Sequence, residues 1–124
     1  MKLYLAVAAT VALSACAVPP PAPEPSVLVG TWRVDLRPRP DAPAYYQELV
    51  VRSVSGKSFE GTFYGAPVSQ ARINTDWGAV RIAFVTADVS GPYNHSAVLT
   101  GGKLEGLTNA TGRDFLSYWS AVKQ

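Results

Sequence analysis

Ala79-Val80-Arg81-Ile82-Ala83-Phe84-Val85-Thr86-Ala87 is the stretch that decides the fold class. Side chains alternate across a strand, so Val80, Ile82, Phe84 and Thr86 fall on one face and Arg81 on the other. The β-branched and aromatic residues suit a pleated, half-buried surface. Asp76-Trp77-Gly78 in front and Ser90-Gly91-Pro92 behind are turn-forming residues that bound the strand on both sides.

The same period of two recurs in both directions along the chain. Val29 to Leu36 places Trp32, Val34 and Leu36 inward. Tyr45 to Val54 places Tyr45, Gln47, Leu49 and Val51 inward, with Glu48 and Arg52 outside. Ser55-Gly56-Lys57 turns the chain into a strand with Phe59, Gly61 and Phe63 inward. Gly65-Ala66-Pro67 stops that strand, and a weaker one from Val68 to Thr75 carries Ala71 and Ile73. Tyr93 to Thr100 and Lys103 to Asn109 flank Gly101-Gly102, a two-residue hairpin signal, and a last strand runs from Phe115 to Val122. Arg37 to Pro43 holds three prolines and reads as a loop. No stretch has helical periodicity.

Eight strands with short connections predict an all-β domain, an eight-stranded antiparallel up-and-down barrel over residues 29–124. Fewer than 100 residues support one modest core. Gly56-Lys57-Ser58-Phe59-Glu60-Gly61 is echoed by Gly102-Lys103-Leu104-Glu105-Gly106. A glycine inside each strand predicts a barrel corner or a close backbone approach.

In front of the domain, Lys2 and the apolar run Leu3 to Leu13, interrupted only by Thr10, have the grammar of a secretory signal. A spanning helix needs about 20 apolar residues, and this run is shorter. Leu13-Ser14-Ala15-Cys16 resembles the lipobox of bacterial lipoproteins. The resemblance implies cleavage after Ala15 and a Cys16 that carries a diacylglyceryl group and a further acyl chain such as palmitate. Two or more such chains hold a protein stably on a membrane. Ala17, where that family often has aspartate for inner-membrane retention, implies an outer-membrane protein facing the periplasm. The expected organisation is a cleaved signal peptide (1–15), the lipidated cysteine with a spacer (16–28) and the barrel (29–124). Five of the ten prolines lie between Ala17 and Ser26, and polyproline II there gives a semi-rigid spacer of roughly 30 Å.

Cleavage would remove Lys2 and leave 10 basic and 9 acidic residues, evenly interspersed. That balance gives no basic stripe and argues against a nucleic-acid partner. The only cysteine is the one in the lipobox, so no internal disulfide is expected.

Gly30-Thr31-Trp32 at the head of the first strand resembles the Gly-x-Trp opening of calycins, the barrel group that includes lipocalins and avidins. The resemblance implies a tryptophan closing one end of the barrel, a basic residue near the end of the last strand packed over it, for which Lys123 is placed, and a small ligand inside. Ala71 to Trp77 is similar to the avidin run that ends in a ligand-stacking tryptophan. In avidins one strand follows that run and here about three do, so no biotin site is carried over.

A single histidine and one lipobox cysteine leave little for catalysis or metal binding, and no cofactor or metal is expected. The expected function is a non-catalytic, membrane-anchored envelope barrel that takes a small apolar or amphipathic ligand, lined by Trp32, Tyr45, Trp77 and His95. Two other readings stay open. One is an interaction module or protease-inhibitor-type barrel with a filled core that docks on an envelope protein. The other is a hydrolase in which His95 works with a serine such as Ser96 and an aspartate.

Overall fold

The computed structural model describes residues 2–11 and 22–124. The lipobox and Cys16 lie outside the described residues. Among those described no helix is long and apolar enough to cross a membrane. Residues 30–123 form an antiparallel sheet of nine strands: β1 (Gly30–Asp35), β2 (Tyr46–Ser55), β3 (Ser58–Phe63), β4 (Ala66–Pro67), β5 (Ser69–Asn74), β6 (Arg81–Asp88), β7 (Gly91–Thr100), β8 (Lys103–Ala110) and β9 (Phe115–Lys123). Sequential strands neighbour one another from β5 through β9, β9 pairs with β1, and the order continues through β2 and β3 to β4. This is an up-and-down meander curled into a nearly closed barrel.

The count is nine rather than eight because the strand expected from Val68 to Thr75 begins earlier and is broken. Ala66–Pro67 pairs back onto β3, while Ser69–Asn74 pairs onward with β6. Within β5 Gln70 takes a left-handed φ of 51°, and the register to β6 shifts between Ser69 and Arg72. A bulge of this kind bends and twists a strand. It lets one segment of chain serve both ends of the sheet. Val68 N–H donates to the Gly61 carbonyl at 3.0 Å and Ile73 N–H to the Lys57 carbonyl at 2.9 Å, and these bonds close the seam.

Alternation places the core. Trp32, Val34, Leu49, Val51, Phe59, Phe63, Ile82, Phe84, Leu104 and Trp119 are buried inside, and Glu48, Arg52, Arg81 and Glu105 face out. The core also takes Leu28, which the sequence assigns to the spacer. Pro25–Leu28 forms a 3-10 turn that tucks the fully buried Leu28 under the barrel, and Trp32 Nε1 donates to its carbonyl at 2.9 Å. Lys123 pins the same corner, its Nζ donating to the Val27 carbonyl at 2.7 Å and lying 5.6 Å from the Trp32 ring centre. That end of the barrel is closed.

The two echoed glycines are both sites of close approach. A Cβ on Gly61 would overlap the Val50 carbonyl, and one on Gly106 would overlap the indole of Trp119. Gly106→Ala is therefore expected to destabilise the domain by about 1 to 3 kcal/mol, the usual cost of overpacking. A urea titration checks this, and a change under about 0.5 kcal/mol would mean that Trp119 repacks freely.

Candidate functional site

The end opposite Trp32 is open. There β1 ends near Leu36, β3 turns into β4 through Tyr64-Gly65, β6 turns into β7 through Val89-Ser90, and β8 is joined to β9 by the 3-10 turn Thr111–Arg113. Between these connections lies a cavity of about 650 Å³. That is within the range of small-molecule sites.

Its rim is aromatic. Tyr45 and Tyr64 meet edge to face with ring centres 6.1 Å apart, and their hydroxyls touch. That contact raises the Tyr64 hydroxyl above its ordinary pKa. Phe115 stands across from them under the Arg113 guanidinium, 5.8 Å from its ring centre. The two ionised rim groups are engaged. Asp88 accepts from the Tyr93 hydroxyl at 2.8 Å and from Ser90 N–H at 2.7 Å, which holds its carboxyl below the usual range. Arg113 is held above its usual value, first by the neighbouring Tyr93 hydroxyl.

The floor is His95. It points inward from β7 and is buried, with its ring stacked on Phe84 at 4.6 Å and tilted against Phe63 at 4.4 Å. Both ring nitrogens are taken by threonine hydroxyls from the flanking strands: Nε2 with Thr86 Oγ1 at 2.8 Å and Nδ1 with Thr108 Oγ1 at 2.8 Å. Burial lowers its pKa to about 4, and no ionised neighbour offsets that. The ring is neutral at pH 7, so one nitrogen donates and the other accepts.

Of the four residues expected to line a ligand site, the fold brings Tyr45 and His95 together at this cavity. Trp32 and Trp77 do not join them. Trp32 is packed into the closed end, as its place at the start of β1 requires, and Trp77 is 78% exposed in the turn between β5 and β6 at that same end. The pairing of His95 with Ser96 is not made either, because adjacent residues on β7 face opposite sides and Ser96 is outside. The alternation marks Thr86 as inward, but Thr108 was missed. Counting outward from the Gly101-Gly102 turn would have found it, since equal steps bring His95 opposite Thr108.

Among the described residues no three His, Cys, Asp or Glu side chains gather in a way that would hold a metal ion. Fold and site together define a small all-β barrel, closed at one end and open at the other to an aromatic-rimmed cavity with an uncharged floor. No protein-family model, curated protein or solved structure matches the chain.

Proposed function

We propose that the chain is a bacterial envelope lipoprotein, anchored through lipidated Cys16 in the outer membrane and facing the periplasm, whose calycin-like barrel carries a small apolar or amphipathic ligand without catalysing a reaction on it. The single observation that carries the ligand reading is the cavity of about 650 Å³ at one end of an otherwise filled barrel. The placement of Lys123 over Trp32 supports the calycin likeness. The chain enters the barrel beside Trp32, so the mouth opens at the end away from the proposed anchor.

Two experiments test the two halves. N-phenyl-1-naphthylamine, an apolar dye that brightens out of water, should bind the protein. Ser117→Phe, on an inward position of β9 that lines the cavity, should weaken binding at least tenfold while leaving one cooperative unfolding transition. Unchanged dye binding in that variant would remove the cavity as the site. For the anchor, Cys16→Ser should abolish incorporation of labelled palmitate and shift the protein out of the membrane fraction. Retention with unchanged processing would end the lipoprotein reading.

A second reading, the interaction module, has one observation in its favour. Leu107, Leu116 and Tyr118 form an exposed apolar strip on the outer face of β8 and β9. Leu116→Glu separates the two readings, because it should leave dye binding untouched and abolish any co-purification with an envelope protein.

A further inference from the structure

We infer that the cavity selects a small, uncharged aromatic molecule carrying a hydrogen-bond donor and an acceptor that point to opposite sides, as in a primary carboxamide, with Thr86 and Thr108 as the residues that read it. This rests on the carrier reading above and sharpens it.

The protons on the floor decide what it can pair with. A neutral imidazole has one N–H and one lone pair, and each threonine hydroxyl has one proton and two lone pairs. The threonine facing the bare ring nitrogen must give its proton to the ring, and shows the cavity only lone pairs. The threonine facing the ring N–H accepts from it and keeps its own proton free. Whichever tautomer His95 adopts, the floor shows the cavity one acceptor and one donor, on β6 and β8 at either side of the ring. A change of tautomer exchanges the two, so a ligand can dock in either orientation about its donor–acceptor pair.

Charge is excluded by what surrounds this floor. His95 is neutral, and the ionised groups that line the cavity, Asp88 and Arg113, are exposed at its rim and not at the floor. A carboxylate or ammonium pushed to the floor would lose its water and meet no opposite charge, which is costly. Aromatic shape follows from the walls: Phe63, Tyr45, Tyr64 and Phe115 offer ring faces and edges to a flat partner.

Four naphthalenes of nearly equal size test it on the purified full chain by calorimetry at pH 7: 2-naphthamide with donor and acceptor, 2-acetylnaphthalene with an acceptor only, 2-ethylnaphthalene with neither, and 2-naphthoate with a charge. The amide should bind at least tenfold more tightly than the ethyl and carboxylate compounds, with the ketone between. Thr86→Val/Thr108→Val should bring the three neutral compounds within about threefold of one another. If that variant fails to fold, the ranking on the unaltered protein decides alone. Nitrogen NMR of the only imidazole in the chain gives a second readout, since the amide should shift the His95 tautomer ratio and 2-ethylnaphthalene should not. A gap under tenfold, or naphthoate binding as tightly as the amide, overturns the inference and leaves the carrier reading standing. Binding by none of the four removes the carrier reading and this inference with it.

Discussion

Trp32→Ala is expected to cost about 3 to 5 kcal/mol of stability, the range for truncating a buried tryptophan. Against a total of about 5 to 15 kcal/mol for a domain of this kind, that brings the protein near the edge of unfolding. Three losses converge at the position. The indole is 2% exposed, so its removal leaves a cavity in the closed end. Its Nε1 is the partner of the Leu28 carbonyl, which is then left buried and unpaired. Lys123 loses the ring face beneath its ammonium group, and with it part of what holds the last strand over the entry turn. Trp77→Ala is the contrast. That side chain is exposed in a turn, and the hydrogen bond at this residue, from Arg81 Nη1 at 3.3 Å, goes to its backbone carbonyl and survives the substitution. Its cost should stay within about 0.5 kcal/mol. Urea titrations of the two variants are the measurement, and equal losses would refute the assignment of faces along β1.

How far the chain could be read in advance depended on whether a feature was local. Trp32, Val34, Leu49, Phe59, Phe63, Ile82 and Phe84 all lie on the faces that alternation assigns them, because burial on one side of a strand imposes a period of two directly on the sequence. The earlier start at Ala66 and the division of Ala66–Asn74 between two neighbours were not legible. The division turns on Gln70 adopting a left-handed backbone, and an ordinary residue in that conformation carries no mark in sequence, unlike a glycine. Leu28 was hidden for a similar reason: Val27-Leu28-Val29 directly follows the proline tract, and only the three-dimensional closure of the barrel creates the hole that Leu28 fills. At the site, Tyr45 and His95 were legible only as single candidates: Tyr45, expected inward, stands exposed at the rim just before β2, and alternation had given His95 no face. Their meeting at one mouth was not legible. The end of the barrel to which each residue belongs depends on strand direction summed over the whole meander, and that same sum sends Trp32 and Trp77 to the other end.

The stability of the protein should fall as pH drops from about 6.5 to about 4, by at most about 3 kcal/mol from His95 alone. The sign follows from proton counting. In the unfolded chain the imidazole titrates near its ordinary 6.5; in the fold, burial among Phe63, Phe84 and the two threonines lowers it to about 4. Between those values the unfolded state binds a proton that the folded state refuses, so acidification favours unfolding. Above about pH 6.5 neither state is protonated and the full stability is present; below about 4 both are, and the loss is complete. The assignment to one residue is clean. His95 is the only histidine, and the two carboxylates that the fold shifts both go down, away from this interval: Asp35 first by its hydrogen bond with Arg37 and Asp88 first by Tyr93. Urea midpoints measured at half-unit steps from pH 7 to 5 should therefore decline in the unaltered protein. In His95→Gln, which keeps a donor and an acceptor at the floor but cannot titrate, they should stay level over the same interval. A level curve for the unaltered protein would place His95 in water or beside a carboxylate, and the neutral floor on which the choice of an uncharged ligand depends would be lost.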